Sequence, residues 1–277
     1  MNSDKSSPKF SFDLSGKFLL MRHGETFYNS NPNLSRRYNT DLSDSHLSDV
    51  GINQAKSKQE EINNLDIERI YVSPFYRAIQ TISLALENHP NLNNIKVIVH
   101  PKISEIVCSA HDYIIDIKQT KKDFNMNSKV KVDWSYFDEY VKKIKYDENF
   151  FYFENIDLID EKEKNEEYKK LKELYDKEDM KGFKEELGNY LKEKNKTFVI
   201  YESFKHGYER LEEFKNFLKI EHKDTINDKN KKVLCVCHSS LISIVISPIQ
   251  FSNLNLNEKP DNLVKLGNAK IISFFVD

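Results

Sequence analysis

Short apolar runs alternate with stretches whose apolar residues recur every three or four positions. The runs at 17–21 (KFLLM), 69–73 (RIYVS), 96–100 (KVIVH), 232–237 (KVLCVC) and 269–277 (AKIISFFVD) have the length and apolar content of buried strands. Helical spacing marks 47–65 (LSDVGINQAKSKQEEINNL), 74–88 (PFYRAIQTISLALEN), 208–219 (YERLEEFKNFLK) and 240–247 (SLISIVIS), and Ser73 and Pro74 read as cap and first-turn residue of the second. This rhythm predicts an α/β domain with a largely parallel sheet.

The rhythm breaks once. From about 116 to 196 the chain turns to Lys, Glu, Asp, Asn and aromatics, with Tyr168, Leu171, Leu174, Tyr175, Phe183, Leu187 and Leu191 at helical intervals. The stretch is expected to be a helical insert within a single domain, 1–277, whose core occupies about 15–115 and 197–277. The polar residues 1–9 are expected to form a flexible tail. No internal repeat is visible.

Composition narrows the function classes. Across 277 residues, 39% are hydrophobic, enough for a sizeable core, and 42 basic against 44 acidic residues leave a net charge of −2. No basic field exists to gather nucleic acid or an anionic membrane, so neither is an expected partner. Three cysteines without a pairing pattern, no signal-like segment and no run of 18 apolar residues predict a reduced, cytoplasmic protein. Residue 2 is Asn2, so the glycine needed for myristoylation is missing.

In open α/β sheets ligands bind beyond the carboxyl ends of the strands. The first run is followed by Arg22, His23, Gly24 and Glu25, the second by a helix carrying Arg77, the third by Glu105 and the fourth by His238. Two arginines, two histidines and a glutamate at one edge are what phosphoryl transfer needs. Guanidinium groups fork hydrogen bonds to phosphate oxygens, a neutral imidazole attacks phosphorus, a protonated one shares the developing charge, and a carboxylic acid protonates the leaving alkoxide.

The segment RHGETFYN at 22–29 resembles the RHGxTxxN signature that opens the histidine phosphatase superfamily, in its phosphoglycerate mutase-like branch. LSDVGINQA, SPFYRAIQT, KISE, YESFKHGYERLEEFKNFL and CVCHSSLI resemble further motifs of that family, in the expected order. The resemblance implies a three-layer α/β/α sandwich with a mostly parallel central sheet, and phosphomonoester hydrolysis through a phosphohistidine. It makes His23 the phosphate acceptor, and Arg22, Arg77 and His238 ligands of the phosphoryl group. Asn29 becomes a further contact and Glu105 the proton donor and later base. Ser239, which stands where many members have glycine, counts with the substrate-binding residues.

The stretch 30–46 lacks the Phe-x-Gly-Trp pattern associated with glycolytic mutases, which favours hydrolysis over a phosphomutase. A catalytically idle scaffold is the rival of another class, opposed by the intact Arg22, His23, Arg77 and His238. The expected substrate is a small phosphorylated molecule or a phosphoprotein.

Several neighbours keep two readings. Asp112 or Glu25 can replace Glu105 as the acid, and Arg36 and Arg37 either grip a second anionic group or are simply solvated. His111 and Asp112 form a pocket rim or a turn. Cys235 and Cys237, with Cys108 or His111, invite a zinc reading, but no second Cys pair exists and Arg22 and Arg77 would repel a cation. No metal and no cofactor are expected. The run 160–167 (DEKEKNEE) reads as a solvated helix face. Aromatics of the insert, Trp134 and Phe150 to Phe153 among them, read as the core of a cap over the strand ends that shapes what enters.

Overall fold

The structure, a computed structural model, describes residues 10–31, 37–194, 201–256, 258 and 260–276. The expected tail at 1–9, and Arg36, lie outside them. Among the described residues seven strands form one sheet: β1 (Phe10–Ser11), β2 (Phe18–Arg22), β3 (Asp66–Val72), β4 (Lys96–Val99), β5 (Val132–Asp133), β6 (Lys231–Cys237) and β7 (Ile271–Phe274). Their order is β1-β7-β2-β6-β3-β4-β5. From β2 to β5 every neighbouring pair is parallel; β7 runs antiparallel to β1 and β2.

The helices are α1 (Phe27–Ser30), α2 (Asp49–Lys56), α3 (Gln59–Asn63), α4 (Tyr76–Leu86), α5 (Ile117–Asn127), α6 (Ser135–Val141), α7 (Glu161–Asp176), α8 (Met180–Lys194), α9 (Phe204–Glu221) and α10 (Ser239–Ile246). Alternation along the strands sends residues to opposite faces, and both faces are covered. Leu19, Met21, Ile70, Val72, Leu234 and Val236 pack with Ala78, Ile79 and Ile82 of α4. Phe18, Leu20, Tyr71, Val233, Cys235 and Cys237 pack with Leu211, Phe214 and Leu218 of α9 and Leu241 of α10. Three layers result, and burial on both faces is why the strands read as unbroken apolar runs. No helix among the described residues is long and apolar enough to cross a membrane.

Three local expectations need correction. The helix expected over 47–65 is two, because the Ser57 hydroxyl donates to the Gln54 carbonyl (2.7 Å) at the end of α2 and competes with the helical ladder. Helix α4 starts at Tyr76 with extended Phe75 as its cap residue, so Ser73 caps nothing. The run at 160–167 is only partly solvated: Lys164 and Glu167 are buried, and Lys164 Nζ donates to the Ile156 carbonyl (2.8 Å).

The segment 116–196 is not purely helical. Val130 and Val132 alternate with Lys129 and Lys131, and Val132 pairs with Val97 as the sheet's last strand. Phe137, Phe150, Phe151 and Phe153 join the same apolar layer as α4, β3 and β4. The aromatics are therefore buried as expected, but in the layer that covers the sheet.

One close approach fixes where β2 delivers its last residues. A Cβ on Gly51 would lie 1.9 Å from the Glu25 carbonyl oxygen, and one on Gly24 would lie 2.7 Å from the Gly51 carbonyl oxygen. Only two glycines let α2 sit against the loop after β2. Gly51→Ala is therefore expected to lower stability by about 1–3 kcal/mol, read from the urea midpoint, as overpacking does. A shift within the scatter of the wild type would show that this approach is loose.

Candidate active site

Strands β2 and β6 lie side by side in parallel, Arg22 opposite Cys237, so the residues that follow them meet. The His23 N–H donates to the Cys237 carbonyl (3.1 Å), and the His23 and His238 rings stand 5.2 Å apart. Strand β3 ends beside β6, and α4 then carries Arg77 to the same place. Glu105 arrives from β4 through the turn Pro101–Ile103. The structure thus gathers Arg22, His23, Arg77, Glu105 and His238 from four strand ends.

His23 is buried, and its Nδ1 lies 2.7 Å from the Gly24 carbonyl. A carbonyl only accepts, so Nδ1 carries the proton. Burial first, then Arg77 and Arg22, hold the imidazole pKa well below its ordinary value. The ring is neutral, and Nε2 is left with its lone pair.

His238 has the opposite tautomer. Its Nδ1 accepts from Arg77 Nε (3.2 Å), and its Nε2–H donates to the Ser73 hydroxyl (2.7 Å). Burial, Arg77 and His23 hold its pKa well below the usual range. The protonated second histidine expected from the sequence is therefore corrected: in this state His238 is neutral, because a cation there would face Arg77 without water.

Arg77 is 1% exposed. Its Nη1 donates to the His111 carbonyl (3.0 Å), its Nη2 to Asp112 Oδ1 (3.3 Å), and Asp44 Oδ1 lies 3.8 Å from Nη1. Burial raises the pKa of both carboxyls to about 7 against the pull of Arg77, and Glu105 pushes Asp112 further up. Asp44 adopts a positive φ of 41° and accepts the Tyr76 N–H (3.0 Å), which ties the loop before α2 to the first turn of α4.

Arg22 donates through Nη1 to the Leu266 carbonyl (2.7 Å), while its buried Nε has no acceptor among the described residues. Burial lowers its pKa, Glu105 opposes this and Arg77 adds to it, so the three charges share one neighbourhood. Glu105 accepts from the N–H groups of Ser240 (3.3 Å) and Leu241 (3.3 Å), over the start of α10. The buried Ser239 hydroxyl has no hydrogen-bond partner among the described residues. Asn29 belongs to the capping box of α1, its Oδ1 accepting from the Thr26 N–H (3.3 Å).

Position bears on the open alternatives. Glu25 accepts from the Ser48 hydroxyl (2.8 Å) and Asp112 also holds the N–H groups of Cys108 and Ser109 (both 3.1 Å), so each carboxylate serves local structure. Residues Ala110–Asp112 form a turn, and the same turn is the wall behind Arg77: His111 pairs with Asp112 Oδ1 (3.0 Å) and stacks on Tyr28 at 3.7 Å. Arg37 is exposed. Cys235 and Cys237 face the apolar layer under α9 and α10.

Sequence reasoning missed Ser73 and Asp44. Ser73 carries a signal, since a serine between a strand and a proline need not cap the helix. Asp44 carries none, because only the folded loop brings it to Arg77.

The comparisons with known proteins follow this geometry. Residues 18–131 match the histidine phosphatase superfamily (branch 1) family model. The 2,3-bisphosphoglycerate-dependent phosphoglycerate mutase of Chlamydia muridarum (strain MoPn / Nigg) is 34% identical over 91 residues, which are 32% of this chain and 38% of that protein. The chain thus matches well under half of that relative's length. Among solved structures, the Bombix mori ecdysone phosphate phosphatase bound to tungstate is 14% identical (92% of this chain, 86% of that one, TM-score 0.45). A mycobacterial glucosyl-3-phosphoglycerate phosphatase with VO3 is 16% identical (92% and 88%, TM-score 0.45). A Bacillus anthracis str. Sterne phosphoglycerate mutase is 15% identical (93% and 90%, TM-score 0.42). The family match begins on the strand that delivers Arg22 and His23 and runs past Arg77 and Glu105, so over residues 18–131 the chain is similar to the histidine phosphatase superfamily (branch 1).

Proposed function

We propose that this chain is a phosphomonoester hydrolase working through a phosphohistidine at His23. The observation that carries the reading is the pinned tautomer: Nδ1–H is held by the Gly24 carbonyl, so the lone pair resides on Nε2. That nitrogen attacks phosphorus, and the phosphorus–oxygen ester bond breaks. Glu105 gives its proton to the leaving alkoxide. Water then attacks phosphorus as Glu105 takes its proton, and the phosphorus–nitrogen bond breaks with its electron pair returning to Nε2. The Gly24 carbonyl stays on Nδ1–H and stabilises the positive ring of the intermediate.

Arg22 Nε and the Ser239 hydroxyl are buried donors awaiting an acceptor, which phosphate oxygens provide. Arg77 supplies the second guanidinium once phosphate competes with its carboxylates. In this reading the enzyme needs no metal, since fixed guanidinium charge serves where a divalent ion otherwise would. Three unpaired thiols support a reducing, cytoplasmic setting. The substrate is a phosphorylated small molecule or phosphoprotein, and turnover across a panel of phosphate esters assigns its alcohol. A mutase is the second reading, favoured by the identity to the Chlamydia protein. The missing Phe-x-Gly-Trp at 30–46 opposes it, so 3-phosphoglycerate should be hydrolysed or ignored and not converted to its 2-isomer.

Rapid quenching with labelled ester is expected to trap a base-stable, acid-labile adduct in the wild type and none in His23→Ala. Persistence of the adduct in that variant removes His23 as nucleophile. Glu105→Gln should lose roughly 10²- to 10⁴-fold in kcat on an alkyl phosphate and far less on p-nitrophenyl phosphate, whose leaving group needs little protonation. Activity should survive a chelator; loss restored by a divalent ion would refute the metal-free reading.

The pH dependence has a definite sign. His23 stays neutral well below pH 6.5, so the acid side should show no loss of nucleophile near that value. Asp44 and Asp112 ionise as pH rises through about 7 and set negative charge against Arg77 where phosphate must bind. KM should therefore rise above about pH 7, by roughly tenfold, the equivalent of about 1.4 kcal/mol. In Asp44→Asn the rise should be smaller. A KM independent of pH from 6 to 8.5 would contradict this account.

A further inference from the structure

We propose that the buried ion pair Glu202–Arg210 is the positioning device of Glu105, acting on the reaction by clamping the segment that carries it. The inference rests on the reading of Glu105 as the acid.

The clamp closes on both sides of that residue. Arg210, on the inner face of α9, is 2% exposed, and Glu202 is fully buried just ahead of the same helix. Arg210 Nε and Nη2 donate to Glu202 Oε1 (2.9 and 2.8 Å). Its Nη1 donates to the carbonyls of Lys102 (2.8 Å) and Ser104 (3.0 Å), and Nη2 reaches the Glu105 carbonyl (3.5 Å). The other oxygen of Glu202 accepts the Val107 N–H (3.1 Å). The Val107 carbonyl in turn accepts from the Tyr201 and Glu202 N–H groups (2.9 and 3.1 Å).

The segment 104–107 has no helix or strand of its own. The carbonyls of Ser104 and Glu105 and the N–H of Val107 are held by this one pair, and the Val107 carbonyl by the N–H groups of Tyr201 and Glu202. Packing adds to the grip, since a Cβ on Gly207 of α9 would already lie 3.0 Å from Ile106 Cδ1. An ion pair out of water is a costly way to hold two elements together, and an apolar pair of similar volume often stabilises as well or better. What an apolar pair cannot do is fix four backbone groups around one carboxylate. Small misplacement of an acid is costly in rate, because proton transfer needs hydrogen-bond reach to the leaving oxygen.

The role differs from a merely structural one in what it moves. Glu202→Gln and Arg210→Lys are compared with wild type and Glu105→Gln on an alkyl phosphate and on p-nitrophenyl phosphate, with vanadate inhibition and urea midpoints measured on each. Both clamp variants are expected to lose roughly 10- to 100-fold in kcat on the alkyl ester and less than about 3-fold on the aryl ester, with KM and vanadate inhibition little changed. Glu105→Gln combined with Glu202→Gln should be no slower on the alkyl ester than Glu105→Gln alone. If Arg210→Lys does not fold, Glu202→Gln carries the test, since it keeps the contacts of Arg210 to the carbonyls of 102 and 104. Equal losses on both esters in the clamp variants, or none, with the selective deficit intact in Glu105→Gln, would overturn the positioning role. A Glu105→Gln enzyme without a leaving-group-selective deficit would instead strike the acid assignment, and the clamp proposal with it.

Discussion

The site depends on one pairing. Parallel strands β2 and β6 run in register, and the residue after each is a histidine. Two imidazoles are thereby fixed near each other before any side-chain preference is consulted. A one-residue slip would turn His23 to the other face of the sheet and leave Cys237 opposite a different neighbour. The pairing is secured by burial on both faces, since Leu19, Leu234 and Cys235 are 0% exposed.

Bringing cationic side chains to that pairing has an electrostatic consequence that governs the rest. Arg77 cannot leave water without partners, and it finds a carboxylate on either side, a carbonyl and an imidazole nitrogen. Both histidines stay neutral because the guanidinium groups are close and water is excluded. The same guanidinium charge thus helps to keep His23 neutral. Asp44 and Asp112 are the carboxyl partners that Arg77 has in this structure.

Much of this was legible in the sequence because it is local. Apolar runs, the residue after each run and the helical spacing within 74–88 and 208–219 are read within a window of a dozen residues. Contacts of long range were not legible. Ser73 looked like a cap because its partner, His238, is 165 residues away. Asp44 sits in a loop whose sequence says only that it turns. The short edge strand at 132–133 was hidden by the charged composition around it, although Val130 and Val132 keep the two-residue period. The contacts of Glu202 and Arg210 with residues 102–107 were not legible, because their partners there are backbone groups, which carry no sequence signal.

The order Arg-His-Gly after β2 has a single physical reading. Arg22 is the last residue of the strand and closes against the carbonyl of Leu266. His23 follows, with its proton pinned by the very next carbonyl. That carbonyl belongs to Gly24, whose N–H is held by the Thr81 hydroxyl (3.0 Å) and whose missing Cβ lets Gly51 approach. A larger residue would displace α2 or rotate the peptide. Either movement takes the acceptor from Nδ1, frees the ring to change tautomer and moves the lone pair away from Nε2. The glycine therefore takes part in fixing the His23 tautomer, although it contributes no side chain.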